Sequence, residues 1–129
     1  MKVLVFGSRT FDDHFAVYWV LDGLLEHARA DRDDNITVIE GGARGADRIA
    51  ASWAVGRVFA GVEHERYPAD WNLYGKAAGP YRNEYMLRHG KPDVAWGFLD
   101  KDLPHSRGSH DMAMKCVAAG VPTYIVQKL

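Results

Sequence analysis

Cysteine is almost missing from this chain. Cys116 is the single one in 129 residues, so no internal disulfide can form and nothing points to an oxidising compartment. No apolar run approaches the roughly 18 residues needed to cross a bilayer, and the opening MKVLVFG is far too short for a secretory core. A cytoplasmic protein with no membrane partner is therefore the expectation. A surplus of one charge is missing too. With 16 Lys and Arg against 17 Asp and Glu, the net charge of −1 excludes a broad basic footprint on duplex DNA and leaves only a local cationic pocket. Repeats and low-complexity tracts are absent, which removes solenoids and linkers. What is left, 47% hydrophobic and 26% charged, fits one globular domain over residues 1–129 with enough chain for a real core.

The apolar residues fall into short runs that alternate with helical stripes. Val3 to Phe6 is continuous and ends at Gly7, as a strand buried on both faces does. From Asp13 to Ala30, Val17, Val20, Leu21, Leu24, Leu25 and Ala28 recur at helical spacing, and the acidic DRDDN at 31–35 ends that helix. Ile36 to Ile39 reads as a second strand. Ile49, Ala50, Trp53 and Ala54 mark a second helix, which Gly56 or Gly61 stops. Val62 to Tyr67 is a strand whose alternating charges place it near a sheet edge.

Residues 68–79 show no period and read as a long ordered loop. Pro80 and Gly90 bracket a short helix, and Asp93 to Phe98 is a fourth strand. A polar loop runs from Leu99 to Gly108. Ser109 then caps a helix whose inner face is Met112, Ala113, Cys116 and Val117, with Gly120 as its stop, and Thr123 to Val126 is a fifth strand. This alternation predicts an α/β fold: a Rossmann-like parallel sheet of about five strands with helices on both faces. Ligands in such sheets bind beyond the carboxyl ends of the strands, so the loops at 7–12, 41–47, 68–80 and 99–110 hold the candidate site.

Gly41-Gly42-Ala43-Arg44-Gly45 joins a strand end directly to a helix start. Glycines there allow positive φ and close approach of backbone N–H groups, and the helix N-terminus adds partial positive charge. The turn is neither a dinucleotide fingerprint nor a Walker A loop, because its spacing differs and no Gly-Lys-Ser/Thr follows. Two more strand-end loops carry the same chemistry: Gly7-Ser8-Arg9-Thr10, and Arg107-Gly108-Ser109 behind Ser106. Three such loops on one rim point to a phosphate-bearing or otherwise anionic ligand, whose phosphate oxygens would sit on the amides of Gly42, Ala43, Gly45, Gly108 and Ser109. Arg9, Arg44, Arg82 or Arg107 would supply the charge. Asp47, Asp70 and Asn83 are candidates for sugar or base contacts, and Trp71 either stacks on a base or packs against the domain. No metal is expected, since His105, His110 and Asp111 fit no usual ligand spacing; Cys116 reads as a packed core thiol.

GSRTF, EGGARGAD, ADW…YGKAAGPYRN and the glycine-serine start of the last helix, in that order, resemble the SLOG superfamily, in the stand-alone YspA-like branch often encoded by phages and plasmids. That superfamily includes the Lonely guy phosphoribohydrolases and DNA-processing protein A. Residues 41–47 resemble the glycine-arginine-glycine-aspartate loop of the latter, and Pro80-Tyr81-Arg82-Asn83 its proline-x-arginine-asparagine stretch. The resemblance implies a nucleotide or nucleotide-derived ligand, ADP-ribose-like or a nucleoside monophosphate, bound by a sensor or sequestering protein that needs no cofactor. It also implies an alternative, an N-glycosidase acting on nucleoside monophosphates, and a further one, single-stranded DNA binding. The phosphoribohydrolases place a glutamate shortly after their glycine loop; Arg48-Ile49-Ala50 stands there instead, leaving Glu84 or Asp47 to be recruited and no catalytic residue assigned. Related folds pair through helix faces, so a homo-oligomer is compatible with the resemblance.

Overall fold

Lys2–Gly7 (β1), Thr37–Glu40 (β2), Glu63–Arg66 (β3), Val94–Leu99 (β4) and Thr123–Gln127 (β5) form one sheet in the order β3-β2-β1-β4-β5. Every neighbouring pair is parallel. The structure, a computed structural model, describes residues 1–100 and 106–128. The direction of winding reverses between β1 and β4, the place where sheets of this kind bind their ligands.

Alternation along β1 splits the core in two. Val3 and Val5 meet α1 (His14–Arg32) and α2 (Ala46–Val55) on one face, whereas Leu4 and Phe6 meet α4 (Ala78–Gly90) and α5 (Arg107–Ala118) on the other. The stripe Val17, Val20, Leu21, Leu25 and Ala28 is the buried face of α1. Asp13 caps that helix by accepting from the Ala16 N–H at 3.1 Å. The helix runs on through Asp31 and Arg32, past the expected stop, because Asp33 takes the left-handed turn at φ 48° and Arg29 and Arg32 favour the negative end of the helix dipole. The charged β3 lies at the sheet edge, as its pattern predicts. None of the described helices is long and apolar enough to cross a membrane.

Four expectations need correction. The segment 68–79 is not a loop: Trp71–Tyr74 forms a short helix (α3), Gly75–Ala77 a single 3₁₀ turn, and α4 begins at Ala78. A helix too short to show a period hides from periodicity. The last helix begins at Arg107 with Ser106 in the cap position, so Ser109 lies buried inside its first turn. Val117 is 61% exposed, because it sits about 90° around the helix from the centre of the face made by Met112, Ala113 and Cys116. Gly90, expected just past the end of this helix, is instead its last helical residue, and Lys91 makes the left-handed turn at φ 50°. A methyl group on Gly90 would lie 3.1 Å from Ile39 Cδ1, so its role is close packing against β2. His105 and part of the 99–110 loop lie outside the described residues.

Candidate functional site

Two buried carboxylates organise the turn between β2 and α2. The Gly42 N–H donates to Glu40 Oε1 at 2.6 Å, and the Gly41 and Ala43 N–H groups donate to Asp47 Oδ2 at 3.0 and 3.3 Å. These amides therefore do not stand bare for phosphate oxygens, as the glycine pattern led one to expect. A carboxylate one residue before the glycines and another in the first turn of the following helix reach back and fill the cradle themselves. Glu40 is wholly buried, and its Oε2 takes His64 Nε2 and Arg66 Nε, both at 2.7 Å. The parallel register pairs Glu40 with Arg66, and His64 shares that face two residues earlier.

Asp47 is pushed up to about 7. Burial is the main cause and the nearby negative charge of Glu40 the second; the Arg82 guanidinium and the two amide donors pull the other way. Both amide bonds fall on Oδ2, and Asp47 lines the main cavity. Arg82 works as a bolt: its Nη1 donates to the Gly41 carbonyl at 2.5 Å and the Tyr67 carbonyl at 3.4 Å, and its Nε to Asn83 Oδ1 at 3.0 Å. Burial lowers its pKa, while Asp47 and Glu40 raise it. Asn83 in turn donates to Asp111 Oδ2 at 3.0 Å and the Gly108 carbonyl at 3.3 Å, tying α4 to the start of α5.

Above the carboxyl ends of β1 and β4 lies a cavity of about 640 Å³, within the roughly 300–1,000 Å³ of small-molecule sites. Gly7, Ser8, Arg9 and Thr10 line it from the β1–α1 turn, Ala43, Arg44 and Asp47 from the β2–α2 turn, Arg82 and Asn83 from α4, and Arg107, Gly108 and Ser109 from α5. Gly41 and Gly42 instead line a smaller adjoining cavity of about 240 Å³. Gly45 lines neither; it packs against the backbone of Ser8 and Arg9. Ser8 Oγ accepts from the Asp100 N–H at 3.3 Å and Thr10 Oγ1 hydrogen-bonds Asp100, fastening the β1–α1 turn to the end of β4.

Asp70 also lines neither cavity, because its carboxylate caps α3 by accepting from the Leu73 N–H at 3.0 Å. Asp70→Ala is accordingly expected to cost about 1 kcal/mol of stability in urea denaturation. A loss of ligand affinity at full stability would instead make Asp70 a ligand contact.

The cavity is cationic. Arg44, Arg107 and Lys76 have no ion pair among the described residues, and Arg9 lies over the Trp71 ring, 5.6 Å from its centroid. Of the two acids on its wall, Asp111 is held by Lys115 at 2.7 Å, and Asp47 is the one with the raised pKa. Lys76 was missed in the sequence because its segment reads as loop. The cluster of Glu40, His64 and Arg66 has a signal in the sequence: an acid ending a buried strand beside an edge strand with an imidazole and a guanidinium in alternate positions. No group of three or more His, Cys, Asp or Glu among the described residues is placed to hold a metal ion.

Among known families, the one described as YspA, cpYpsA-related SLOG matches residues 1–74, from β1 through the glycine turn to α3. The chain is also similar to the gene 61 protein of Mycobacterium phage D29, with 37% identity over 123 residues that cover 94% of this chain and 92% of that protein.

Proposed function

The chain belongs to the YspA, cpYpsA-related SLOG family, and from that premise we propose that it binds a nucleotide-derived small molecule in the cavity above β1 and β4, as a sensor or sequestering protein. The observation that carries this function is the set of cations without carboxylate partners among the described residues, Arg9, Arg44, Arg107 and Lys76, around a cavity large enough for a nucleoside. Unpaired guanidinium groups are strong, bidentate phosphate receptors. The start of α5 supports them: Arg107, Gly108 and Ser109 line the cavity at the positive end of that helix, and Ser106 makes no side-chain cap that would take up a first-turn amide. Phe6, Met86 and Met112 supply an apolar lining, and Trp71 a ring that can stack on a base.

Calorimetry and thermal unfolding with AMP and ADP-ribose test it. Either compound at a hundred times its dissociation constant is expected to stabilise the fold by about 2.7 kcal/mol. That is a rise of about 10 °C in Tm for a domain of this size. No heat of binding and no shift at millimolar concentration would refute the proposal.

A second function has one observation in its favour. Asp47, on the cavity wall and titrating near 7, is poised as a general acid or base. An N-glycosidase would use it to take a proton from water as oxygen adds to the ribose C1′, and to return a proton to the departing base. Free adenine released from AMP, detected by chromatography and lost in Asp47→Asn, would establish hydrolysis; binding without release leaves a receptor.

A further inference from the structure

The smaller cavity has no role in a site that holds one phosphate. It is lined by Arg9, Arg44, Arg48 and Arg82, and by no carboxylate among the described residues. Arg82 is already committed to the Gly41 and Tyr67 carbonyls, and the Gly41, Gly42 and Ala43 amides to Asp47 and Glu40. The free grip is therefore that of Arg9, Arg44 and Arg48. Arg48 is exposed, has no ion pair among the described residues, and of the two cavities lines this one alone.

At about 240 Å³ this space falls below the roughly 300–1,000 Å³ of drug-sized sites, and its size and arginine lining suit a small anionic group. Arg9, Ala43, Arg44, Trp71 and Arg82 form walls of both cavities, so one ligand can occupy the two together. We propose that the smaller cavity is a second phosphate subsite, and that the ligand class is a nucleoside diphosphate or a pyrophosphate derivative rather than a nucleoside monophosphate. This inference rests on the nucleotide-binding function proposed above. It adds Arg48, in the first turn of α2, to the binding residues.

The test compares calorimetric affinities for ADP and AMP on the intact chain. Wild type is expected to bind ADP about tenfold or more tightly than AMP, the gain of a charge-assisted contact. Arg48→Gln is expected to collapse that preference to about twofold or less, and Arg48→Lys, which keeps the charge, to recover part of it. Arg88→Gln, the same charge change in the last turn of α4, is expected to keep the wild-type preference, which separates local contact from overall attraction. AMP binding with ADP no tighter overturns the subsite and leaves the nucleotide-binding function standing. An ADP preference that survives Arg48→Gln, or that Arg88→Gln removes equally, overturns it too. If neither nucleotide binds, the function and the subsite fall together.

Discussion

Gly45→Ala is expected to lower the unfolding free energy by about 4 kcal/mol. Gly45 sits at φ 80°, ψ −131°, a region that only glycine enters freely, and forcing a side chain there costs about 1–3 kcal/mol. The added methyl group would also overlap the Ser8 carbonyl oxygen and lie 2.9 Å from the Arg9 carbonyl oxygen. Both are backbone atoms, which cannot swing aside as a side chain does, and overpacking of this kind adds about 1–3 kcal/mol. The midpoint of urea unfolding reads the effect. Gly23→Ala is the control: its added methyl group meets nothing within 4 Å on the exposed side of α1, and helix propensity predicts a gain of up to about 1 kcal/mol. The same contact is where the β2–α2 turn leans on the β1–α1 turn, so the damage reaches function. Moving Ser8 and Arg9 away opens the cavity wall they form, and nucleotide affinity falls with stability. A loss below about 1 kcal/mol would mean that the two turns are not in this contact.

How far the residues announced this architecture differs from place to place. Val3 to Phe6 and the stripe on α1 are long enough for their periods to identify a buried strand and an amphipathic helix, and the sheet follows from their alternation. The four residues of α3 are shorter than any period, and that helix was lost. The site was legible as a set of loops: of the rim residues singled out by glycine, hydroxyl and arginine chemistry, twelve line one cavity. What those residues do there was less legible. A glycine turn looks the same in sequence whether a ligand or a neighbouring carboxylate takes its amides, and Glu40 and Asp47 decide that only through their positions in space. Asp70 likewise carries the same label as a sugar contact or a cap, and the Leu73 N–H decides for the cap.

Asp47 makes stability depend on pH in the direction opposite to an ordinary paired aspartate. Its carboxyl titrates near 7 in the folded chain and near 3.8 in the unfolded one, so between those values the folded state keeps a proton that the unfolded state has released. Stability is therefore greatest toward the acid side of that window and falls as pH rises through it. A shift of about 3 units corresponds to about 4 kcal/mol in full, of which about 3 kcal/mol is lost between pH 5 and 8. Asp34 and Glu65, whose pKa values are lowered, are ionised across that range and contribute no slope there. Urea unfolding at pH 5, 6, 7 and 8 is expected to show the decline in wild type and a nearly flat line in Asp47→Asn, whose amide oxygen can still accept from Gly41 and Ala43. A wild-type line as flat as that of the variant would place Asp47 in ordinary carboxylate territory and remove the acid–base chemistry built on it. The same proton bears on the ligand. A phosphate entering beside a charged Asp47 meets repulsion, and beside a neutral Asp47 it does not, so nucleotide affinity is expected to tighten as pH falls through 7 and to lose that dependence in Asp47→Asn.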